Sequence, residues 1–262
     1  MQDIMNSDNG LRNQSNSDNG LQNQSNGDDG SQSQQAHGRA AALIDMDGVL
    51  YDSMKYHTVA WHRMMLEYGL DIPRDEFYLY EGMTGAATIE LLWQRAFHTT
   101  PSVEQVKEMY ARKTVLFNEL GRKEPMPGAD RMLGAFRDAG WKRVLVTGSS
   151  QRSLIDMIVN DYPGIFAPDR MVTARDVKHG KPSPEPYLKG AELAGVAPER
   201  CVVVENAPLG VRAGKAAGCL TVAVTTGPIP RSEFEREKAD LIFPSMPEFA
   251  DALPSLIEEW SR

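Results

Sequence analysis

Four short apolar runs constrain the fold of this 262-residue chain more than any other feature. They are Ala41–Ile44, Val144–Val146, Val202–Val204 and Thr221–Val224. Each ends in small or polar residues: Asp45-Met46-Asp47-Gly48, Thr147-Gly148-Ser149-Ser150, Glu205-Asn206-Ala207 and Thr225-Thr226-Gly227. Runs of this length with little alternation suit strands covered on both faces, as in a parallel sheet. The segments between them carry helical spacing. Ala129, Leu133 and Phe136 recur at four and three before Gly140, and Pro184 and Pro186 stand where a helix start tolerates proline. Phe249, Leu253, Leu256 and Trp260 repeat at four, three and four. Strands alternating with helices imply an α/β fold, a Rossmann-like doubly wound parallel sheet. Ligands of such sheets bind beyond the carboxyl ends of the strands. Asp45, Asp47, Thr147, Glu205 and Asn206 are therefore expected to meet on one edge.

One long stretch breaks the alternation. Between Ser53 and Pro127 only helical patterning is visible: Tyr56, Ala60 and Met64 repeat every four residues, and Trp61, Met65 and Tyr68 follow the same face. This reads as a helical cap inserted after the first strand. It spans 53–126, with 39–52 and 127–262 forming the core and "PMPG" at 125–128 the return hinge. Ahead of the core, "NSDNGLRNQS", "NSDNGLQNQS" and "NGDDGSQSQQ" are three successive polar repeats. Residues 1–38 are too poor in apolar side chains to offset their ordering entropy and read as a disordered low-complexity tail.

Charge and composition narrow the partners. The tail holds five Asp against one Arg, so it carries half of the formal net charge of −8. The rest of the chain is ordinary for a soluble protein, and it has no basic stripe for nucleic acid. No apolar stretch approaches the ~20 residues of a membrane helix, and a secretory signal is not visible. The two cysteines, Cys201 and Cys219, lack metal-ligand spacing and read as small buried side chains. The expectation is a soluble, cytoplasmic monomer with no nucleic-acid or membrane partner.

Two carboxylates one residue apart at a strand end can divide phosphoryl transfer between them. Asp45 could attack phosphorus and form an aspartyl phosphate, while Asp47 protonates the departing oxygen and later activates water. Gly48 allows the sharp turn that follows. A hard cation such as Mg2+ could be held by Asp45, the Asp47 carbonyl and the Glu205-Asn206 pair. Thr147 and the amides of Gly148 and Ser149 could bind phosphate oxygens, with Lys181 balancing their charge. Taken singly, the acid pair also fits a solvated turn, "TGSS" a helix cap, and Lys181 a surface lysine. Their joint occurrence at one sheet edge is what argues for a site.

"DMDGVLYDS", "VTGSS", "GKPSPEPY" and "VVVENAPLGVRAGKAAG" resemble the four motifs of the haloacid dehalogenase superfamily, and the insert after the first motif resembles its β-phosphoglucomutase-like subgroup. The resemblance covers about residues 41–250. It implies Asp45 as nucleophile, Asp47 as general acid/base, Thr147 and Lys181 on the phosphoryl group, and Asp45, Asp47 and residue 206 on magnesium. The chain departs from the pattern twice. The fourth motif usually offers two acids, whereas Glu205 is followed here by Asn206, which lowers the negative charge at the metal. The cap stretch "YEGMTGAATIE" presents Glu81, with no Lys or Arg between Asp75 and Arg95, where a mutase grips a second phosphate with a basic loop. This resembles a branch that includes inorganic pyrophosphatases, in which the cap glutamate closes onto magnesium. A solvated loop acid is the other reading of Glu81. His57 could order the hinge, contact substrate or assist Asp47, or lie on a helix surface. The expectation is a magnesium-dependent phosphohydrolase for pyrophosphate or a small phosphate ester. A β-phosphoglucomutase or sugar-phosphate phosphatase is the enzyme alternative. A non-catalytic regulator on the same fold would need a broken Asp45 or Asp47, and neither is broken.

Overall fold

The computed structural model describes residues 40–121 and 123–262; the expected tail, 1–38, lies outside them. Six parallel strands form one sheet: β1 Ala41–Ile44, β2 Lys142–Val146, β3 Met171–Val172, β4 Cys201–Glu205, β5 Leu220–Val224 and β6 Leu241–Phe243, in the order β3-β2-β1-β4-β5-β6. The four apolar runs are the four inner strands. Alternate residues of β1 enter different cores, Ala42 and Ile44 on one face and Ala41 and Leu43 on the other. That two-sided burial is why the runs are apolar throughout. Two edge strands, β3 and β6, are too short to stand out as apolar runs.

Helices α4 Ala129–Asp138, α5 Arg152–Asp161, α6 Glu185–Ala194, α7 Pro208–Ala216, α8 Arg231–Arg236 and α9 Met246–Trp260 accompany the sheet. The insert carries α1 Met54–Glu67, α2 Gly85–Phe97 and α3 Val103–Glu119, with a 3-10 segment at Arg74–Tyr80. The chain leaves and re-enters the core side by side: Asp52 donates its amide to the Glu124 carbonyl at 2.9 Å, and Met126 to the Leu50 carbonyl at 2.8 Å. This paired crossing fixes where the insert is attached. Its apolar faces join the core through Met64, Ile89, Met109 and Phe117, which belong to the same buried cluster as Ile44 and Val204.

Strand order reverses between β1 and β4, the position where doubly wound sheets place ligands. The register sets Ile44 opposite both Leu145 and Val204. Asp45 therefore emerges level with Val146 and Glu205, at the centre of the edge.

Candidate active site

Asp45 is buried where β1 ends, its amide donating to the Val204 carbonyl at 3.1 Å. Lys181 places Nζ 2.5 Å from Asp45 Oδ1 and 2.6 Å from Glu205 Oε1, and also donates to the Val146 carbonyl at 3.1 Å. Burial pushes the Asp45 carboxyl up to about 8, against the pull of Lys181 and with the nearby charges of Glu205 and Asp47 adding to the rise. The two carboxylates hold Lys181 protonated despite its burial. Glu205 has no free oxygen. Oε1 accepts from Lys181 and from the Tyr187 hydroxyl at 2.7 Å, while Oε2 accepts from the amides of Asn206 and Ala207 at 2.9 and 3.1 Å. In this arrangement Glu205 orients Lys181, and metal ligation expected of it would have to displace those donors.

Asp47 faces a second set of groups. Its Oδ1 accepts from Ser53 Oγ at 2.5 Å and lies 3.0 Å from His57 Nε2. Lys113 Nζ is 2.6 Å from His57 Nδ1 and donates to Gln151 Oε1 at 3.0 Å. The geometry assigns the proton of a neutral His57 to Nε2, because Nδ1 accepts from the ammonium. Burial, reinforced by the Lys113 charge, keeps His57 below its ordinary value. Burial also opposes ionisation of Asp47, but His57, by its charge and its hydrogen bond, and then Ser53 outweigh it and leave the carboxyl below the usual range. Lys113 is pushed down to about 7 by burial among Trp61, Tyr110 and Phe117. His57 stacks on Phe117 at 4.1 Å, so it is a buried side chain and not a surface histidine.

Glu81 follows the 3-10 segment of the insert and is buried. Its Oε1 accepts from Asn206 Nδ2 at 2.6 Å, and burial together with Asp45, Glu205 and Asp47 raises it well above the carboxylate range despite that hydrogen bond. The amide is thereby oriented with Oδ1 left buried and without a protein partner. Gly48, at φ +80, makes room for this side chain: a Cβ there would lie 1.8 Å from Asn206 Nδ2. Gly148 is covered in the same way, since a Cβ would lie 2.6 Å from the Gly82 carbonyl oxygen and 2.8 Å from that of Met83. The loop bearing Glu81 thus rests directly on the end of β2.

A cavity of about 60 Å³ remains between the two halves, lined by Asp45, Asp47, His57, Glu81, Thr147 and Gly148 among others, with Ser149 beside them. Ser149 donates its amide to Thr147 Oγ1 at 3.0 Å, and α5 begins only after Gln151, so neither Ser149 nor Ser150 is its N-cap. Lys178 and His179 are exposed and outside the cavity; their amides bind Glu185. Among the described residues, no three His, Cys, Asp or Glu side chains converge as a metal cluster. A set built from one carboxylate, a main-chain carbonyl and an amide oxygen is of a different kind, and the orphaned Asn206 Oδ1 fits it. So does the charge: Asp45, Glu81 and Glu205 are buried, and Asp47 nearly so, around Lys181 and Lys113. A hard divalent cation suits both features.

The haloacid dehalogenase-like hydrolase family matches residues 40–218. The chain belongs to this family. Hexitol phosphatase A of Escherichia coli is 33% identical over 205 residues, covering 78% of this chain and 90% of that protein. β-Phosphoglucomutase of Bacillus subtilis is 27% identical, covering 71% and 84%. A Bacteroides vulgatus protein provisionally named β-phosphoglucomutase has a solved structure that superposes with a TM-score of 0.83 at 42% identity, covering 87% and 93%. Members with these activities are phosphatases and phosphomutases, so the chain is an enzyme of that kind. No helix among the described residues is long and apolar enough to cross a membrane.

Sequence reading missed four residues that the site uses. Ser53 and Tyr187 carry no signal beyond a hydroxyl. Gln151 follows "TGSS" directly. Lys113 did leave a trace: it sits four residues from both Met109 and Phe117, on the apolar stripe of α3, where a lysine is out of place.

Proposed function

We propose that the chain is a magnesium-dependent phosphohydrolase working through an aspartyl phosphate on Asp45, with a preference for compact phosphates, pyrophosphate first. The observation that carries this reading is the pairing of two carboxyls separated by one residue with separate partners, Asp45 against Lys181 and Asp47 against Ser53 and His57. Asp45 attacks phosphorus and the bond to the leaving oxygen breaks, with Asp47 supplying a proton where the leaving group needs one. Asp47 then takes a proton from the water that attacks the aspartyl phosphate, releasing phosphate and restoring Asp45. Lys181 and the amides after Thr147 stabilise charge on the phosphoryl oxygens. Magnesium, when bound, would be held by Asp45, the Asp47 carbonyl and Asn206 Oδ1 and would neutralise those oxygens further.

Two features support a compact substrate. Glu81 stands at Asn206, where a second phosphate would meet a carboxyl unless a metal intervened. Asp47 is held ionised, which suits the base half of the reaction and a leaving group as stable as orthophosphate. A phosphomutase would need a free cation opposite the reacting phosphate, and the lysine of the cavity, Lys113, is engaged by His57 and Gln151. The second reading, hydrolysis of a sugar or polyol phosphate with the insert open, draws on the names of the relatives. Phosphate release with magnesium from pyrophosphate, hexitol phosphates and hexose phosphates decides between them. The expected result is the highest kcat/KM on pyrophosphate; a preference for a hexitol phosphate would establish the second reading, and no release from any would overturn both. We further propose a cytoplasmic monomer.

A further inference from the structure

Cys201 and Cys219 are the only cysteines of the chain, and both are free and buried. Cys201 opens β4, and Cys219 stands just before β5. The two strands pair in parallel with Val202 opposite Leu220, so one position back the register sets Cys201 opposite Cys219. Neighbouring strands run ~4.8 Å apart, inside the ~4.4–6.8 Å that the Cα atoms of a disulfide span. The side chains also share a face. Both cysteines enter the buried cluster of Ala41 and Leu43, whereas Val202 belongs to the cluster on the other side and Leu220 packs against it. The Cys219 thiol donates to the Cys201 sulfur, so the two sulfurs meet.

Two alanines would fill this space without bringing reactive sulfurs into contact. The thiols are not equivalent. Cys201 donates its own S–H to the Ala197 carbonyl at 3.4 Å. The hydrogen bond from Cys219 holds the Cys201 thiol below its ordinary value, while the same bond, with burial, pushes Cys219 up. Cys201 is therefore the sulfur that ionises first. Access is from the amino edge of the sheet, opposite the edge that bears Asp45. Exposed Ala197 and Glu199 precede Cys201, and exposed Gly218 turns at φ +83 into open space just before Cys219. Each cysteine stands directly inside a surface turn, a depth that suits a water-sized oxidant better than a bulky one.

We propose that Cys201 and Cys219 form a peroxide-responsive pair, whose reversible disulfide staples β4, α7 and the start of β5 into one covalent loop. The Cys201 thiolate attacks one oxygen of hydrogen peroxide, the O–O bond breaks and hydroxide leaves, giving a sulfenic acid. That hydroxide takes the Cys219 proton. The Cys219 thiolate then attacks the Cys201 sulfur, the S–O bond breaks, and the second hydroxide takes up the proton first lost by Cys201. Two thiols and one peroxide become one disulfide and two waters. In a reducing compartment such a bond is transient and reports oxidant. The loop so closed contains Glu205 and Asn206, but the new bond lies at the amino ends of the strands, away from the cavity. The proposal is independent of the reaction proposed at Asp45.

The test treats the folded full chain with hydrogen peroxide, denatures it and counts maleimide adducts by intact mass. With its 2 cysteines the untreated chain should take two adducts, the treated chain none, and the treated chain two again after reduction by a phosphine. Peptide mapping should join Cys201 to Cys219 within one chain. Adducts retained after peroxide, a loss that phosphine does not reverse, or a disulfide between two copies would each overturn the proposal. Single variants check the order of attack. Dimedone, which captures sulfenic acid, should label Cys201 in Cys219→Ser ~10-fold faster than Cys219 in Cys201→Ser, and equal or reversed rates would overturn Cys201 as the attacking sulfur. The melting temperature of the peroxide-treated chain should fall by several degrees on adding phosphine, because the closed loop restricts the unfolded chain. Methionine oxidation is common to both samples. An unchanged or higher melting temperature after phosphine would overturn the staple.

Discussion

The two halves of the cavity are built by different means. The core half hangs on the ends of adjacent parallel strands, so Asp45, Thr147 and Glu205 are placed by the ladder and its register. The insert half reaches in with side chains from helices and a loop: His57 from α1, Lys113 from α3 and Glu81 after the 3-10 segment. Each half supplies a lysine in a different state. Lys181 is held between carboxylates and stays charged, whereas Lys113 sits among aromatic rings and His57, where burial favours loss of its proton. Asp45, the proposed nucleophile, is thus fixed with the fold, while Asp47, the proposed acid/base, takes His57 of the insert as a neighbour.

The largest expected effect strikes the core half. Asp45→Asn keeps the shape of the side chain but removes the proposed nucleophile, so kcat should fall by at least ~10⁴-fold on every substrate alike, with the fold preserved. Beryllium fluoride should decorate Asp45 in the wild type and nothing in the variant. Turnover surviving in the variant would break the assignment of the chemistry to the core.

A smaller effect separates the halves by pH in the absence of divalent cations. Asp45 titrates at about 8 in the folded chain against an ordinary 3.8. The folded state binds more protons between these values, so this contribution is present below 3.8 and lost as pH rises towards 8. Lys113 titrates at about 7 against 10.5. There the unfolded state binds more protons, so the contribution is present above 10.5 and lost as pH falls through 7. Each slope is at most ~1.4 kcal/mol per pH unit. In urea denaturation, Asp45→Asn should gain on the wild type as pH rises through the first window, and Lys113→Met as pH falls through the second. Curves parallel to the wild type would remove the contrast between the two lysine environments.

The legibility of the two halves follows the same division. The sheet was readable because a strand buried on both faces needs a continuous apolar run, and its polar end announces the edge; Ala41–Ile44 with Asp45 is the example. The short edge strands left no such trace, since Met171–Val172 offers two residues. In the insert, helical periodicity gave the presence of helices but not the direction of individual side chains. His57 could be read either way until its stacking on Phe117 placed it inside. Glu205 was legible as a strand-end acid, but its saturation by Lys181, Tyr187 and two amides depends on contacts 18 to 24 residues distant as well as on its neighbours. Long-range partners of that kind have no local signature.

The central claim, that the core sets the reaction while the insert selects what undergoes it, is tested most directly at Glu81. The measurement compares Glu81→Ala with the wild type on pyrophosphate and on a hexitol phosphate at saturating magnesium. kcat/KM for pyrophosphate is expected to fall by ~10²-fold, roughly 2.7 kcal/mol of transition-state stabilisation, while the hexitol phosphate, which would hold the insert open, should lose far less. Equal losses on both substrates, or no loss on either, would contradict it.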